Sequence, residues 1–398
     1  MKTLISFDEG LALVLANVPR PLSEVLPIIN SYGCTLMTSV FSPSTSPPFD
    51  QSAMDGYAFS FKDLTSGKPL RVVDMVKAGE ESKPRLKQGQ CVRIFTGAPL
   101  PAGADTVVMQ EKCEVKDLLL RILDPALKKG SNVRVKGSLV KRQQIISLSG
   151  DKMTVARMAF FSSLGIAKVK VKKIPVVSII VTGDELINPG ERRTGGQVYE
   201  CNSVALTGAL KSVMHEPEIR IFRAGDNLSK TTSTLRKAMK DSDLILLTGG
   251  VSVGDFDFVI PALKALKASI VFHKIRQKPG KPVCLAKLNN KMIFGLPGNP
   301  ASVLTCFYSL VAPALTKWAD TKSIDVTNIP LGHTLKRKPG LTQFLKAEIL
   351  QDAVHILEGQ ESNNLESFAK ANALVKIPEA VSELKARSIV EVIILPQE

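Results

Sequence analysis

Aromatic side chains make up only 5% of this 398-residue chain, with a single tryptophan. None interleaves with the lysine-rich stretches, so the stacking platforms that grip single-stranded nucleic acid are missing. Histidine is scarcer still: His215, His273, His333 and His355 are the full set and lie far apart. The six cysteines (Cys34, Cys91, Cys113, Cys201, Cys284, Cys306) include no C-x-x-C, and none lies closer than 22 residues to the next. A zinc cluster, a disulfide framework and a Cys/His nucleophilic pair are therefore not expected. Reduced thiols of a cytoplasmic protein are. No apolar run approaches the ~20 residues that cross a bilayer. Asp8 and Glu9 interrupt the only N-terminal apolar stretch where a signal peptide would need one. The expected setting is cytoplasmic, with no membrane partner.

Acidic residues are in deficit. The 37 Asp and Glu face 52 Lys and Arg, for a net charge of +15. Such a balance favours anionic partners. The basic residues form no tail, and their mild clusters lie at 168–173, 274–281 and 336–338. A nucleic-acid binder rests on net charge alone and is not expected; small phosphorylated ligands suit the pattern better.

What is present is organisation. Length alone suggests two to four domains at roughly 150 residues each. Ser6 and Glu9 are spaced as a capping box, followed by Leu11, Val14, Leu15 and Val18 at helical spacing. A Ser/Pro-rich stretch over 41–49 then leads into short strands across about 55–136, punctuated by Gly and Pro. A helix over 154–163 is stopped by Gly165. From Ile174 strands alternate with helices, including strands at 176–181, 219–222, 243–247 and 270–272. That rhythm predicts a parallel sheet with helices on both faces and ligands beyond the carboxyl ends of the strands. Asn202 and Asp257 stand where helix caps would stand. After residue 321 short strands return, as a second small β unit.

The strand ends of the α/β segment carry the chemistry. They read Thr182-Gly183-Asp184-Glu185, Gly225-Asp226, and Thr248-Gly249-Gly250-Val251-Ser252-Val253-Gly254-Asp255-Phe256-Asp257. Lys274, Lys278 and Lys281 follow, then Gly295-Leu296-Pro297-Gly298-Asn299-Pro300 before a helix. Backbone amides of glycine turns cradle phosphate, carboxylates hold magnesium, and lysines neutralise the remaining charge. Each piece alone has an ordinary reading as a tight turn, a cap or a solvated charge. Their gathering on one sheet edge favours a site for a phosphorylated ligand with a hard cation.

These loops, with Ser52-Ala53-Met54-Asp55-Gly56-Tyr57-Ala58, Phe95-Thr96-Gly97-Ala98-Pro99 and Lys278-Pro279-Gly280-Lys281-Pro282, resemble the motifs of the molybdopterin molybdenumtransferases. This MoeA family includes the C-terminal domain of gephyrin, and the motifs occur in family order across nearly the whole chain. The resemblance implies an α/β multidomain protein: a parallel-sheet molybdopterin-binding domain over 174–320, an inserted β domain over 46–138 and a C-terminal β domain over 321–398. A discontinuous, α-containing dimerisation domain would combine 1–45 with 139–173. It implies insertion of molybdenum from molybdate into adenylylated molybdopterin, with magnesium-dependent cleavage and release of AMP, by a homodimer whose site is shared between chains.

The residues carried over are Asp55, Glu185, Asp226 and Asp257 as catalytic acids, the last three also as magnesium ligands. Thr96, Arg134, Asn202, Gly249, Gly250, Ser252, Lys274, Lys278, Lys281 and Ser362 would bind substrate. Two departures stand out. Ser138 and Leu139 replace a Glu-Asp pair that follows glycine in the family. Leu341, Gln343 and Lys346 stand where the family tends to have arginine, an acid and arginine. A lysine at 346 would lose the two-pronged grip of an arginine on phosphate. The alternative implied by these changes is an impaired relative acting as a ligand- or partner-binding scaffold.

Overall fold

The computed structural model describes residues 2–80, 85–251, 257–320 and 324–396. The chain divides into two compact units, one formed by residues 1–24 with 172–398 and the other by 25–171.

In the first unit the centre is a seven-stranded sheet in the order Lys2–Ile5, Ser269–Ile275, Cys284–Leu288, Lys291–Leu296, Leu244–Thr248, Val177–Thr182, Ile219–Ala224. The four strands from Lys291–Leu296 to Ile219–Ala224 are parallel, as the alternation of strands and helices predicts. The sheet as a whole is mixed, because Cys284–Leu288 runs antiparallel to both neighbours. The reason is local. Only Asn289 and Asn290 separate it from the next strand, with Asn289 at φ +55°, and a two-residue turn joins antiparallel strands only. The edge strand Lys2–Ile5, parallel to Ser269–Ile275, is not anticipated by the sequence.

Both faces are covered. Val177, Ile179 and Val181 pack with Leu206, Leu210 and Val213 of the Asn202–Val213 helix on one side. Ile180, Ile245 and Leu247 pack with Leu235 and Leu263 of the Leu228–Lys240 and Val259–Ala265 helices on the other. Strands buried on both faces read as continuous apolar runs, which is what Leu244–Leu247 shows. The helix that the sequence predicts over 301–317 is broken into Pro300–Cys306, a π turn over Phe307–Val311, and Ala312–Ala319. The N-terminal helix, Phe7–Ala16, is capped by Ser6, whose side chain accepts from Glu9 N at 3.2 Å. The box is not closed reciprocally: the Glu9 carboxylate instead takes the Lys2 ammonium at 2.6 Å.

Strands Thr342–Leu350, Ala373–Ile377, Ile389–Ile394 and Val326–Pro330 make a separate antiparallel sheet with its own core of Leu331, Val354, Val375 and Val392. Gln277–Lys278 adds to its edge, pairing Lys278 with Gln343. That pairing ties the lysine segment of the α/β part to the C-terminal sheet.

The second unit holds a six-stranded sheet ordered Thr106–Met109, Gly56–Phe59, Gln90–Ile94, Leu70–Val76, Leu119–Ile122, Cys113–Lys116. A further cluster of Ile28, Leu36, Met153, Phe161 and Val171 surrounds the Val155–Ser163 helix. Thr154 caps that helix by accepting from Arg157 N. Among the described residues no helix is long and apolar enough to cross a membrane. All six cysteines are free, and burial pushes the thiols of Cys284 and Cys306 up to about 12.

Candidate functional site

Two adjoining clefts open in the first unit. The larger, about 810 Å³, lies beyond the carboxyl ends of the parallel strands. Glu185, Asn202, Asp226, Gly249, Gly250 and Asp257 all line it. The smaller, about 470 Å³, is lined by Lys278, Lys281 and Ser362, together with Gln277 and Leu341. Pro282, Pro297 and Asn299 wall both.

The glycine loop after Leu244–Thr248 shows why its residues are glycines. Gly249 and Gly250 have φ +84° and +61°, and a Cβ on Gly249 would come within 2.6 Å of Thr182 Oγ1. The Gly249 N–H is spent on Leu296 O at 3.1 Å, so the backbone donor this turn leaves for an anionic oxygen is that of Gly250. His273 Nε2 lies 2.8 Å from Val251 O and pins the loop to the sheet. Ser252 lies outside the described residues.

Among the acids, Asp226 Oδ2 accepts the backbone N–H of Asp184 at 2.9 Å. Asp257 lies one residue before the cap position of its helix. The helix starts at Val259, and its cap position is Phe258, without a side-chain bond. Among the described residues no three His, Cys, Asp or Glu side chains converge closely enough to hold a metal ion. Glu185, Asp226 and Asp257 thus share a cleft but not a tight cluster. Magnesium takes most of its ligands from water and phosphate and needs only one or two carboxylates, so this oxygen set fits it.

Asn202 is the first residue of its helix, not the cap. Its Nδ2 donates to Gly298 O at 2.8 Å, while its buried Oδ1 has no partner. Lys274 sits at φ +70° within the Ser269–Ile275 strand, its backbone N–H bonded to Val283 O, and it lines neither cleft.

Asn299 was not singled out by the sequence, where an Asn before Pro reads as a helix cap. It makes no capping bond; its Nδ2 donates to Ser362 Oγ at 2.8 Å and so joins the wall of both clefts to the C-terminal sheet. Glu200, also unanticipated, lines the larger cleft with both carboxylate oxygens bonded to Ser203. Lys346 corrects an expectation. Only 3% of it is exposed, and its ammonium is directed at the carbonyls of Gly359, Glu361 and Asn364, not at a ligand. Desolvation holds its pKa below the ordinary lysine value.

Asp55, Thr96 and Arg134 belong to the second unit. Thr96 donates to Asp55 Oδ1 from both its backbone N and its hydroxyl, at 2.8 Å each. These bonds, the backbone one first, and the nearby Arg93 charge hold the Asp55 carboxyl below its usual range. Gly56 is required here, since a Cβ would fall 1.8 Å from Val108 O. Arg134 pairs with Gln51 on the strand leading into the same loop. Leu139 is 71% exposed, so it packs into no core of its own chain.

Comparison with known proteins finds three family regions along the chain. Residues 5–165 match the MoeA N-terminal region (domain I and II), 178–317 a probable molybdopterin binding domain, and 328–395 the MoeA C-terminal region (domain IV). The molybdopterin molybdenumtransferase of Haemophilus influenzae is 33% identical over 79% of this chain and 78% of its own length. That of Nostoc sp. is 32% identical over 94% and 89%. A crystal structure of a molybdopterin biosynthesis MoeA protein from Pyrococcus horikoshii superposes with TM-score 0.82 at 31% identity, covering 98% of this chain and 99% of that one.

Proposed function

Because the chain belongs to the MoeA family of molybdopterin molybdenumtransferases, we propose that it transfers molybdenum from molybdate to adenylylated molybdopterin with release of AMP. It is an enzyme of molybdenum cofactor biosynthesis, and relatives named for that activity leave the scaffold alternative without support. The observation that carries the finer reading is the pair of clefts sharing Pro282, Pro297 and Asn299, one walled by acids and a glycine turn, the other by two lysines and a serine.

In this reading the larger cleft takes the pyrophosphate-linked pterin. The Gly250 amide and the Asn202 carboxamide orient it, with Gly249 keeping the backbone close. The smaller cleft takes molybdate, a tetrahedral dianion suited to the Lys278 and Lys281 ammoniums with the Ser362 hydroxyl. Dithiolene, pyrophosphate and molybdate repel one another, and lysines on one side with the Gly250 amide on the other offset that repulsion. Magnesium held by Glu185, Asp226 or Asp257 would polarise the phosphorus and neutralise the departing AMP. No cysteine is needed, because the sulfur ligands belong to the pterin.

We further propose a cytoplasmic homodimer in which Asp55, Thr96 and Arg134 complete the partner's site. The four-domain division at 1–45 with 139–173, 46–138, 174–320 and 321–398 belongs to the same reading. The cores around Val354 and Val375, around Leu36 and Phe161, and around Val92 and Val107 support it, whereas Ile5, Phe7 and Val14 pack into the α/β core. Ile29 and Val155, 78% and 70% exposed, give the second unit an apolar surface suited to a copy of itself.

Titrating adenylylated molybdopterin and a generic DNA duplex over a range of salt tests the ligand class. Pterin binding with negligible duplex affinity is expected. A steep salt slope with DNA and no pterin affinity would overturn the reading.

A further inference from the structure

The loop from Glu358 to Asn364 belongs to no strand or helix, yet its tip walls both clefts, through Ser362 on one and Asn363 on the other. Irregular backbone of this kind must find partners for its carbonyls. Three of them, Gly359 O, Glu361 O and Asn364 O, are taken by one group, the Lys346 ammonium. The same residue's backbone completes the grip. Lys346 N donates to Gln360 Oε1 at 2.9 Å, and Lys346 O accepts from Gln360 Nε2 at 2.8 Å.

A buried charge is expensive, and an apolar side chain at this position would fill the core without that cost. What an apolar chain would not do is bind three carbonyls of a single loop.

We propose that Lys346 is a positioning residue for the oxyanion cleft: it fixes the 358–364 loop so that Ser362 stands ready to donate to the anion held by Lys278 and Lys281. The inference rests on the assignment of the smaller cleft to molybdate. Ser362 Oγ already accepts from Asn299 Nδ2 at 2.8 Å, so its own proton is left for another acceptor. The hydroxyl direction therefore depends on two supports, Asn299 on the α/β side and Lys346 beneath the loop. Releasing the second lets the loop drift while the lysines and the glycine turn remain in place. Lys346 itself touches no substrate.

The test uses the full-length protein with Lys346→Met and Lys346→Arg, the latter keeping the charge and several donors. Molybdate half-saturation in the insertion reaction should rise at least about tenfold in Lys346→Met, since small displacements of a positioned group carry large penalties. Turnover at saturating molybdate and half-saturation for the adenylylated pterin should change far less. Lys346→Arg should recover part of the loss. Amide hydrogen exchange should quicken at residues 359–364 of Lys346→Met and stay unchanged in the Val177–Thr182 strand.

If Lys346→Met does not fold, Gln360→Ala weakens the same loop while leaving the buried ammonium satisfied. It should give a smaller rise of the same kind. A folded Lys346→Met or Gln360→Ala with parental half-saturation and parental loop exchange would overturn the inference, as would a melting-temperature loss with no change per folded molecule. A parent that inserts no molybdenum refutes the proposed function instead. Loop exchange and direct molybdate calorimetry then decide the inference on their own: parental loop exchange in the variant, or a parent that binds no molybdate, overturns it.

Discussion

Asp55 Oδ1 accepts two hydrogen bonds from the same residue, Thr96, one from the backbone N–H and one from the hydroxyl, each 2.8 Å long. Two motifs 41 residues apart in sequence are thereby closed into one constellation, and a third contact, Gly97 N to Ser52 O at 2.8 Å, locks their backbones. Both bonds favour the ionised carboxylate.

Thr96→Val keeps the backbone bond and removes the hydroxyl. Asp55 should then titrate closer to the ordinary aspartate value, so the acid limb of the insertion rate should move to higher pH. The folded-state pKa is depressed, so any contribution to stability is present above the unfolded pKa and is lost as pH falls through the folded one. Because the carboxylate is exposed, that stability effect should be slight, and the pH–rate profile is the measurement that checks the idea. An acid limb identical to the parent's would separate Asp55 ionisation from the reaction.

Asp257→Asn should lower insertion by at least about tenfold, roughly 1.4 kcal/mol of barrier. The melting temperature should hardly move, because asparagine accepts hydrogen bonds at a helix start nearly as well as aspartate. A loss of stability with unaltered turnover per folded molecule would assign Asp257 to the fold instead.

How much of this was legible in the sequence differs from residue to residue. Strand ends and glycine turns were visible because their constraint is local: Gly249 and Gly250 need positive φ, and a β-to-loop transition advertises itself in composition. The gathering of Glu185, Asn202, Asp226 and Asp257 on one cleft followed from the parallel alternation. Asn299 and Lys346 were opaque, since what each binds lies far away in the chain; Glu200 binds Ser203 only three residues on, and its place on the cleft comes from the fold around it. Asn299 meets Ser362 across 63 positions, a pairing that no local pattern encodes. The antiparallel Cys284–Leu288 strand was missed because its apolar run looks the same in either direction; only the two-residue turn after it betrays the direction.

Ser138→Glu combined with Leu139→Asp tests whether the lost acids matter. Leu139 is exposed in its own chain, so the double change should cost the fold little, and thermal melting should show that. Insertion activity should rise or its magnesium requirement tighten. A stable double variant with parental activity and magnesium dependence would mean that this loop no longer serves the site.

Mixed dimers probe the shared site. Combining an Asp55→Ala chain with an Asp257→Ala chain leaves one site per heterodimer with both acids, so some activity should return. Heterodimers shown to form but as inactive as either parent would rule out sharing between chains.

The most direct measurement follows molybdenum itself. Purified protein is supplied with adenylylated molybdopterin, molybdate and magnesium, and dithiolene-bound molybdenum and AMP are quantified together. The account predicts one AMP released for each molybdenum inserted, with both signals lost when magnesium or molybdate is withheld. AMP release that proceeds without molybdate, or pterin that is bound but never metallated, would contradict it.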